Sequence, residues 1–337
     1  ERPKDKSQLE FWEKCVSCKW IKPELVETNI KHSICQNNIS TTSSAVQLNE
    51  NTIYKNDIST TSSAVEANEN IVDESLKTSS NWAGFAVEGP VKSVMGAWSV
   101  PKVKADSAHR PAKASQWVGL GGRNGQKTLV QAGTECSVDK DGSTKYDTWY
   151  ELYGTNHKDG YSVDISNMSY EPGDRMLCDI GISRSSKTMK CKFFLCNTDK
   201  DEKTSFEVSV TDFPDVPNSA EWIVETPTVY KDGDKKGVQY NYPVTTDVET
   251  GKKTIRFGLC SYGLNNDDYT YVADKSYSGH SPYVKASHLN LVPIQLIGKN
   301  TGNVIAAPKK PGSLIIDYMF PIVLSHGQFN VDWMNYN

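Results

Sequence analysis

Long apolar runs are missing from this sequence of 337 residues. No segment approaches the roughly 18 unbroken apolar residues that a membrane-spanning helix needs, so we expect no membrane partner. Lysine and arginine are scattered rather than gathered into a basic stripe, and the net charge is only −4. The sequence therefore gives no reason to expect a nucleic-acid partner. With 37% hydrophobic residues, the chain still has enough apolar surface to bury a core.

The motifs of the common hydrolases and cofactor enzymes are also missing. There is no His-Glu-x-x-His helix, Gly-x-Ser-x-Gly elbow, Walker loop or dinucleotide fingerprint, and no Asp-Thr-Gly or Asp-Ser-Gly triplet. None of the six histidines is spaced as a metal pair with another. We therefore expect neither a cofactor nor a catalytic metal. A Ser/His/Asp triad assembled in space stays open as an alternative.

Residues 1–36 carry helix signals in place of strand alternation. Ser7 and Glu10 have the spacing of a capping box. Pro23 stands where the first turn of a second helix would accept a proline. We predict two short helices in this segment.

A polar repeat follows this segment and separates it from the rest of the chain. The sequence NISTTSSAV at 38–46 returns as DISTTSSAV at 57–65. Residues 37–77 are rich in Ser, Thr and Asn and poor in large apolar residues, so they cannot bury enough surface to order themselves. We predict a disordered linker here and a separate domain at 78–337.

From residue 79 onward, apolar and polar residues alternate, which is the pattern of half-buried strands. Turn-rich clusters separate these runs, and many short strands at such spacing indicate an antiparallel sandwich or barrel. The residues predicted to share a strand face are Tyr161, Val163 and Ile165; Met176, Cys178, Ile180 and Ile182; Met189, Cys191, Phe193 and Leu195; Phe206, Val208 and Val210; and Ile255, Phe257 and Leu259.

Six motifs in this region occur in a specific order. They are SSNWAGFAV at 79–87, GAWSVP at 96–101, QWVGLGG at 116–122, LVQAGTE at 129–135, YDTWYELYG at 146–154 and SAEWIVE at 219–225. In this order they resemble the glutamic peptidases, also called eqolisins, over roughly three quarters of the chain. The resemblance implies an all-β fold, an antiparallel β-sandwich of two large curved sheets of the concanavalin-like or jelly-roll type. The N-terminal segment would be a short helical and disordered extension of that sandwich.

The resemblance also implies a catalytic pair. In that family a Gln and a Glu form the dyad, and the motifs transfer these roles to Gln131 and Glu221. A carboxyl group with an ordinary pKa of about 4.3 stays available as a base in acid, where an imidazole is already protonated. Glu221 would act as general base and then acid, while Gln131 would position the water and donate to the oxyanion. Judged singly, a strand Glu is more often a solvated residue, but strand parity places Glu221 with Ser219, Ile223 and Glu225 on one face.

Four further residues match positions at or near the substrate cleft of that family: Trp117, Glu135, Asp147 and Glu151. Trp82, Trp149 and Tyr150 are further candidates to line the cleft. For the aromatic residues the alternative is core packing, which we favour for Trp98 and Trp149. One departure is Gly121, which stands where the family usually has Asp and bears on subsite preference rather than on the dyad.

These residues together predict a secreted acid endopeptidase that cuts polypeptides at about pH 3 to 5 and is insensitive to pepstatin. Export is favoured because the sequence starts at Glu1 rather than Met, which suggests that a leader has been removed. We expect a monomer, made as a zymogen in which residues 1–36 are an intramolecular inhibitor and the repeat is cut on activation. The alternatives are a glycosidase that uses Glu151 and Glu221, or a carbohydrate-binding module without catalysis.

Eight cysteines divide unevenly between the two parts of the chain. The N-terminal segment has Cys15, Cys18 and Cys35, and the β domain has Cys136, Cys178, Cys191, Cys196 and Cys260. In an oxidising compartment two odd numbers force at least one disulfide between the parts if all eight pair. The rival interpretations are a zinc site of Cys15, Cys18, His32 and Cys35, and simply free, buried thiols.

Overall fold

The computed structural model describes residues 13–33, 76–185, 188–211, 213, 216–230, 237–263, 270–271, 290–299, 301–308 and 329–335. Residues 13–17 are helical, and short 3₁₀ helices lie at Ser107–His109 and His157–Gly160. The strands up to the middle of the chain are β1 (Lys19–Trp20), β2 (Leu25–Glu27), β3 (Ile30–Lys31), β4 (Lys77–Ser79), β5 (Trp82–Glu88), β6 (Ser93–Ser99), β7 (Lys102–Lys104), β8 (Ala112–Gly121), β9 (Leu129–Val138), β10 (Thr144–Tyr153) and β11 (Val163–Ile165). Those that follow are β12 (Arg175–Ser185), β13 (Thr188–Asn197), β14 (Glu202–Thr211), β15 (Ser219–Glu225), β16 (Thr228–Val229), β17 (Val238–Gln239), β18 (Val244–Thr246), β19 (Thr254–Gly263), β20 (Thr270–Tyr271), β21 (Asn290–Ile297), β22 (Val304–Pro308) and β23 (Phe329–Trp333). Within these ranges, no helix is long and apolar enough to cross a membrane.

Most of these strands belong to one hydrogen-bonded sheet that folds over into two layers. The cleft layer has the spatial order β2, β11, β10, β9, β8, β15, β5, β21. The outer layer has the order β23, β19, β6, β12, β13, β14, β1. Strand β22 joins the layers at one edge by pairing with β21 and β23. The predicted all-β sandwich is confirmed.

The core lies between the two layers and is built from alternate residues of each strand. Trp222, Val118 and Tyr150 enter it from the cleft layer, and Met176 and Phe193 enter it from the outer layer. The apolar faces predicted for β12 and β13 are buried as expected. This packing leaves the opposite face of the cleft layer for the polar residues of the site.

One predicted strand face is wrong at β19. Ile255 and Phe257 enter the main core, whereas Leu259 belongs to a separate cluster with Cys15 and Cys196. Leu259 has a positive φ of 53°, and the pairing of β19 with β6 shifts register between Gly258 and Ser261. Such a bulge inserts one extra residue and reverses which residues face inward.

The N-terminal segment differs from its predicted helical form. The second predicted helix is wrong, because the residues after Pro23 form β2, which pairs with β11 at the free edge of the cleft layer. Strand β1 pairs with β14 at the free edge of the outer layer. Edge strands present unpaired backbone groups, and pairing with them outweighs the local helix signal. The capping-box residues and nearly all of the predicted linker lie outside the described residues.

Candidate active site

The register of the cleft layer aligns the two predicted catalytic residues. Glu221 on β15 is opposite Gly119 on β8, and Gly119 is opposite Gln131 on β9. Gln131 is in turn opposite Glu151 on β10. Residues in register point to the same face of a sheet, so all three polar side chains project into the cleft. The backbones of Glu221 and Gln131 lie two strand steps apart, which is about 10 Å.

Gly119 lets neighbouring side chains close over the sheet between these two residues. A Cβ atom at this position would lie 2.8 Å from the Trp117 ring, 3.0 Å from a Leu129 side-chain carbon and 3.2 Å from the Val130 carbonyl oxygen. Any larger residue would therefore push the floor of the cleft out of place.

Two further rows of residues complete the floor of the cleft. The middle row holds Ile223, Trp117, Gly133, Trp149 and Asp164, and the outer row holds Trp82, Glu225, Ser115, Glu135 and Asp147. The indole rings of Trp82 and Trp117 pack edge to face, with their centroids 4.9 Å apart. The floor is thus an aromatic surface with carboxyl groups on two sides.

Eight of the nine residues predicted for the site share this face: Glu221, Gln131, Trp117, Trp82, Trp149, Glu135, Asp147 and Glu151. The placement of Tyr150 in the cleft is wrong, because neighbouring strand residues point to opposite faces and Trp149 takes the cleft side. Tyr150 packs in the core, with its ring 5.2 Å from Phe193 and 4.9 Å from Phe206.

The Gln131 amide is oriented by the groups around it. Its Nε2 atom donates to the His32 carbonyl oxygen at 2.9 Å and lies 3.4 Å from Glu151 Oε2. The same Glu151 oxygen accepts the His32 backbone N–H at 2.8 Å. Burial raises the pKa of Glu151 well above its ordinary value. Glu151 therefore holds the amide with its N–H groups toward the cleft.

Glu221 is fully buried, and neither of its carboxyl oxygens has a hydrogen-bond partner among the described residues. Burial raises the pKa of Glu221 well above its ordinary value, while the neighbouring Ser219 hydroxyl and the Arg123 guanidinium act in the opposite direction. Arg123 is itself buried and contacts Glu88 at 2.9 Å. Burial therefore favours the neutral form of this carboxyl group.

Glu225 is the second buried carboxyl group on β15. It accepts the Trp117 indole N–H at 3.0 Å and the Ser33 backbone N–H at 3.1 Å. The Asn81 side-chain amide lies 3.4 Å from the same group. Burial raises the pKa of Glu225, and these donors oppose the shift.

The N-terminal segment enters the cleft at His32. Its imidazole stacks on Trp149 with centroids 3.6 Å apart and the planes 2° from parallel. Nε2 lies 3.8 Å from a Glu135 oxygen, and Nδ1 lies 3.5 Å from a Glu225 oxygen. Burial lowers the pKa of His32, and the positive charge of Lys113, which pairs with Glu135, lowers it further.

This position is incompatible with the rival interpretation of a zinc site formed by Cys15, Cys18, His32 and Cys35. Cys15 and Cys18 lie beside Cys196 of the β domain, with 3.6 Å between the Cys18 and Cys196 sulfur atoms, whereas His32 is in the cleft. Among the described residues no group of His, Cys, Asp and Glu is arranged to hold a metal ion. Cys35 lies outside those residues.

Three residues of the site, Lys113, Asn81 and His32, were missed by sequence reasoning, and Glu225 was placed on the right face but given no role. Lys113 shares the parity of Trp117 on β8, so alternation alone could have found it. Asn81 directly precedes Trp82 in a matched motif. His32 had no such signal, because it comes from a segment outside the six motifs.

The Gly121 departure has a local cause. Gly121 has a φ of 96°, and a Cβ atom there would lie 2.7 Å from the Thr128 carbonyl oxygen. An Asp in this backbone conformation would be strained. The cationic Arg123 follows two residues later.

Comparisons with known proteins bear on both the fold and the family. The sequence profile described as the Peptidase A4 family matches residues 80–254, more than half of the chain. The fold is similar to scytalido-glutamic peptidase bound to a transition state analog inhibitor, with 18% identity, a TM-score of 0.53, and coverage of 76% of this chain and 98% of that one. A second structure of that peptidase, with a peptide-based transition state analog, gives 17% identity, a TM-score of 0.51 and the same coverage. No curated protein sequence matches this chain.

Proposed function

The chain belongs to the Peptidase A4 family and is a glutamic endopeptidase, and from this premise we propose that Glu221 and Gln131 are its catalytic dyad. The observation that carries the proposal is the shared row, in which Gly119 alone separates the two residues across the sheet. A carboxyl group and an amide that share one face of the sheet, with no side chain on the strand between them, are suited to hold one water between them.

In the proposed reaction Glu221 first accepts and later donates a proton, and Gln131 donates a hydrogen bond to the oxyanion. Ionised Glu221 takes a proton from the water, whose oxygen attacks the peptide carbonyl carbon. The Gln131 amide N–H stabilises the oxyanion, a contribution typically worth about 3 kcal/mol. Glu221 then gives its proton to the leaving nitrogen, and the C–N bond breaks. Glu151 supports this role of Gln131 because its Oε2 atom lies 3.4 Å from the amide nitrogen.

The substrates we propose are polypeptides bound across the aromatic floor. Trp117, Trp82 and Trp149 would contact substrate side chains, and Glu135, Asp147 and Glu151 would contact polar groups. The indole N–H of Trp82 supports this, since it already donates to the Ser33 carbonyl oxygen at 3.0 Å. A peptide backbone is therefore what this floor is equipped to bind.

We further propose that the protein is a secreted zymogen, monomeric, and inhibited by its own N-terminal segment. His32 and Ser33 form hydrogen bonds with Gln131, Glu151 and Glu225. A substrate cannot use these groups while the segment is in place.

A glycosidase built on Glu151 and Glu221 fits the geometry less well. Their strands are three steps apart in the sheet, which separates the backbones by about 14 Å. Glycosidase carboxyl groups are about 5 to 9.5 Å apart, and side chains on one face stand roughly parallel to each other. Glu151 is also engaged by the Gln131 amide and the His32 N–H.

Site-directed variants test the dyad in an acid digestion of denatured casein. Glu221→Gln should abolish hydrolysis, and Gln131→Ala should lower kcat by about a hundredfold or more. Glu207→Gln is the matched control, because Glu207 lies on β14 of the outer layer and pairs with Lys190. Circular dichroism should show all three proteins folded. Substantial casein hydrolysis by folded Glu221→Gln protein would overturn the assignment.

A further inference from the structure

The His32–Ser33 peptide group is held in the cleft as a substrate would be. The Gln131 amide donates to the carbonyl oxygen of His32 at 2.9 Å. This is the group that the proposed reaction directs at the oxygen of the bond being cut. The N–H groups on either side of that carbonyl are also bound, that of His32 by Glu151 at 2.8 Å and that of Ser33 by Glu225 at 3.1 Å.

The residue beyond this peptide group is held as well. The Ser33 carbonyl oxygen accepts from the indole of Trp82 at 3.0 Å and from the Asn81 amide at 3.2 Å. Asn81 also contacts the Ser33 hydroxyl at 3.1 Å. The segment is thus bound through its backbone on both sides of the His32 carbonyl.

The side chain of His32 fits a pocket of matching shape and polarity. Only 1% of it is exposed, and the ring stacks on Trp149 with the two centroids 3.6 Å apart. Its two nitrogen atoms face carboxyl groups at distances longer than a normal hydrogen bond, 3.8 Å for Glu135 and 3.5 Å for Glu225, and Nδ1 has no hydrogen-bond partner among the described residues. A flat ring is needed for the stack, and polar edges are needed for the carboxyl groups. Imidazole satisfies both requirements, whereas an aliphatic chain lacks the plane and a phenyl ring lacks the nitrogens.

We infer that His32–Ser33 is a bond that this enzyme cuts in its own chain, and that the pocket of Trp149, Glu135 and Glu225 selects histidine on the acyl side of the bond cut in other polypeptides. The inference rests on the proposed function. In the reaction the water oxygen joins the His32 carbonyl carbon, Glu221 carries the proton to the Ser33 nitrogen, and the C–N bond breaks. The products are a carboxyl group at His32 and an amine at Ser33.

The first test follows the full-length protein after a shift from neutral pH to about pH 5. Mass spectrometry and N-terminal sequencing should find a new chain end at His32 and a new start at Ser33. His32→Ala should slow this cleavage by about tenfold or more. His109→Ala is the matched control, because His109 lies in an exposed 3₁₀ helix beside Asp106. Cleavage at this bond that persists in a Glu221→Gln chain would overturn the inference.

The second test measures selectivity with the acid-treated full chain. The probes are a peptide copying residues 28–34 and versions with Ala, Lys or Phe in place of the histidine. The histidine peptide should have a kcat/KM about tenfold above those with Ala and Lys, with Phe between them. If casein is hydrolysed but the four peptides are cut equally, the inference fails and the proposed function stands. If the folded protein hydrolyses neither casein nor peptide, both fail.

Discussion

The guanidinium group of Arg123 opposes the effect of burial on Glu221. Burial raises the pKa of Glu221, and the positive charge of Arg123 lowers it. Arg123 is only 5% exposed at its side chain and pairs with Glu88, so its charge is poorly screened by water. A base that must be ionised in acid benefits from a cation that favours the carboxylate.

Replacement of Arg123 should therefore move the pH profile in a defined direction. Arg123→Gln removes the attraction, so the pKa of Glu221 rises and less carboxylate is present in acid. We expect the acid limb of kcat to shift to higher pH. Arg123→Lys should stay close to wild type because it retains the charge. A profile of kcat against pH that is identical in the Gln variant and wild type would contradict this role.

Single residues also show how far sequence reasoning reached in this chain. Alternation with period two groups Glu221 with Glu225 on one face of β15, whereas the choice of Gln131 and Glu151 on other strands came from the family resemblance. The same rule, applied to Trp149, would have removed Tyr150 from the cleft. The rule failed at Leu259, because the positive φ of this residue reverses the alternation within β19 and cannot be read from the sequence.

At the scale of elements, the strands were predictable and the N-terminal segment was not. The period-two pattern of β12 and β13 survives in the fold because both strands bury one face in the core. Strand β2 has no such pattern, and Leu25 and Val26 are exposed. Its conformation comes from backbone pairing with β11. Local propensity cannot predict pairing with a strand that lies more than a hundred residues away in the chain.

Two cysteines of the N-terminal segment pack against a cysteine of the outer layer. Cys15 and Cys18 lie with Cys196 in one buried cluster. The sulfur atoms of Cys18 and Cys196 are 3.6 Å apart, against about 2.05 Å in a disulfide. Burial, followed by the neighbouring Cys196, raises the pKa of Cys18 to about 12. Both are free thiols. Because little of the Cys18 thiol is ionised, its oxidation by a disulfide such as oxidised glutathione should be slow.

Oxidised protein should contain a disulfide between Cys18 and Cys196. After acid processing, a non-reducing gel should show the N-terminal fragment still attached to the β domain, and a reducing gel should show it released. Cys18→Ser should release the fragment on both gels, and Cys178→Ser, which alters a buried thiol of β12, is the control. Identical patterns with and without reductant in the wild type would exclude the bridge.

At the scale of the whole molecule, pH acts on docking of the segment in two opposite ways. Burial raises the pKa values of Glu151 and Glu225 above the ordinary 4.5, so their contribution to docking is full below that value and is lost as pH rises. Burial lowers the pKa of His32 below the ordinary 6.5, so its contribution is present above 6.5 and is lost as pH falls. The other charged groups that face His32, Glu135 and Lys113, are paired with each other.

Well below pH 4.5, Glu151 and Glu225 are mostly protonated whether or not the segment is docked, so the pH dependence that comes from His32 remains. Docking should then weaken by up to tenfold for each further pH unit, until the docked imidazole is itself protonated. Hydrogen exchange of residues 30–33, corrected for intrinsic rates, should show this in a Glu221→Gln chain that cannot cut itself. His32→Gln in the same background should remove the dependence. Protection that stays constant from pH 4.5 to pH 3 without the His32 change would contradict it.

The attachment of the segment to both free edges of the sandwich has a kinetic consequence. Once the His32–Ser33 bond is cut, the new carboxyl end remains beside the dyad, because β1 and β2 still hold the segment to the two layers and β3 still pairs with β16. It then behaves as a retained product, whose effective concentration at the site is typically millimolar and does not fall when the solution is diluted. Activity should consequently appear with a lag that outlasts bond cleavage and is set by the separation of these three short strands from their partners.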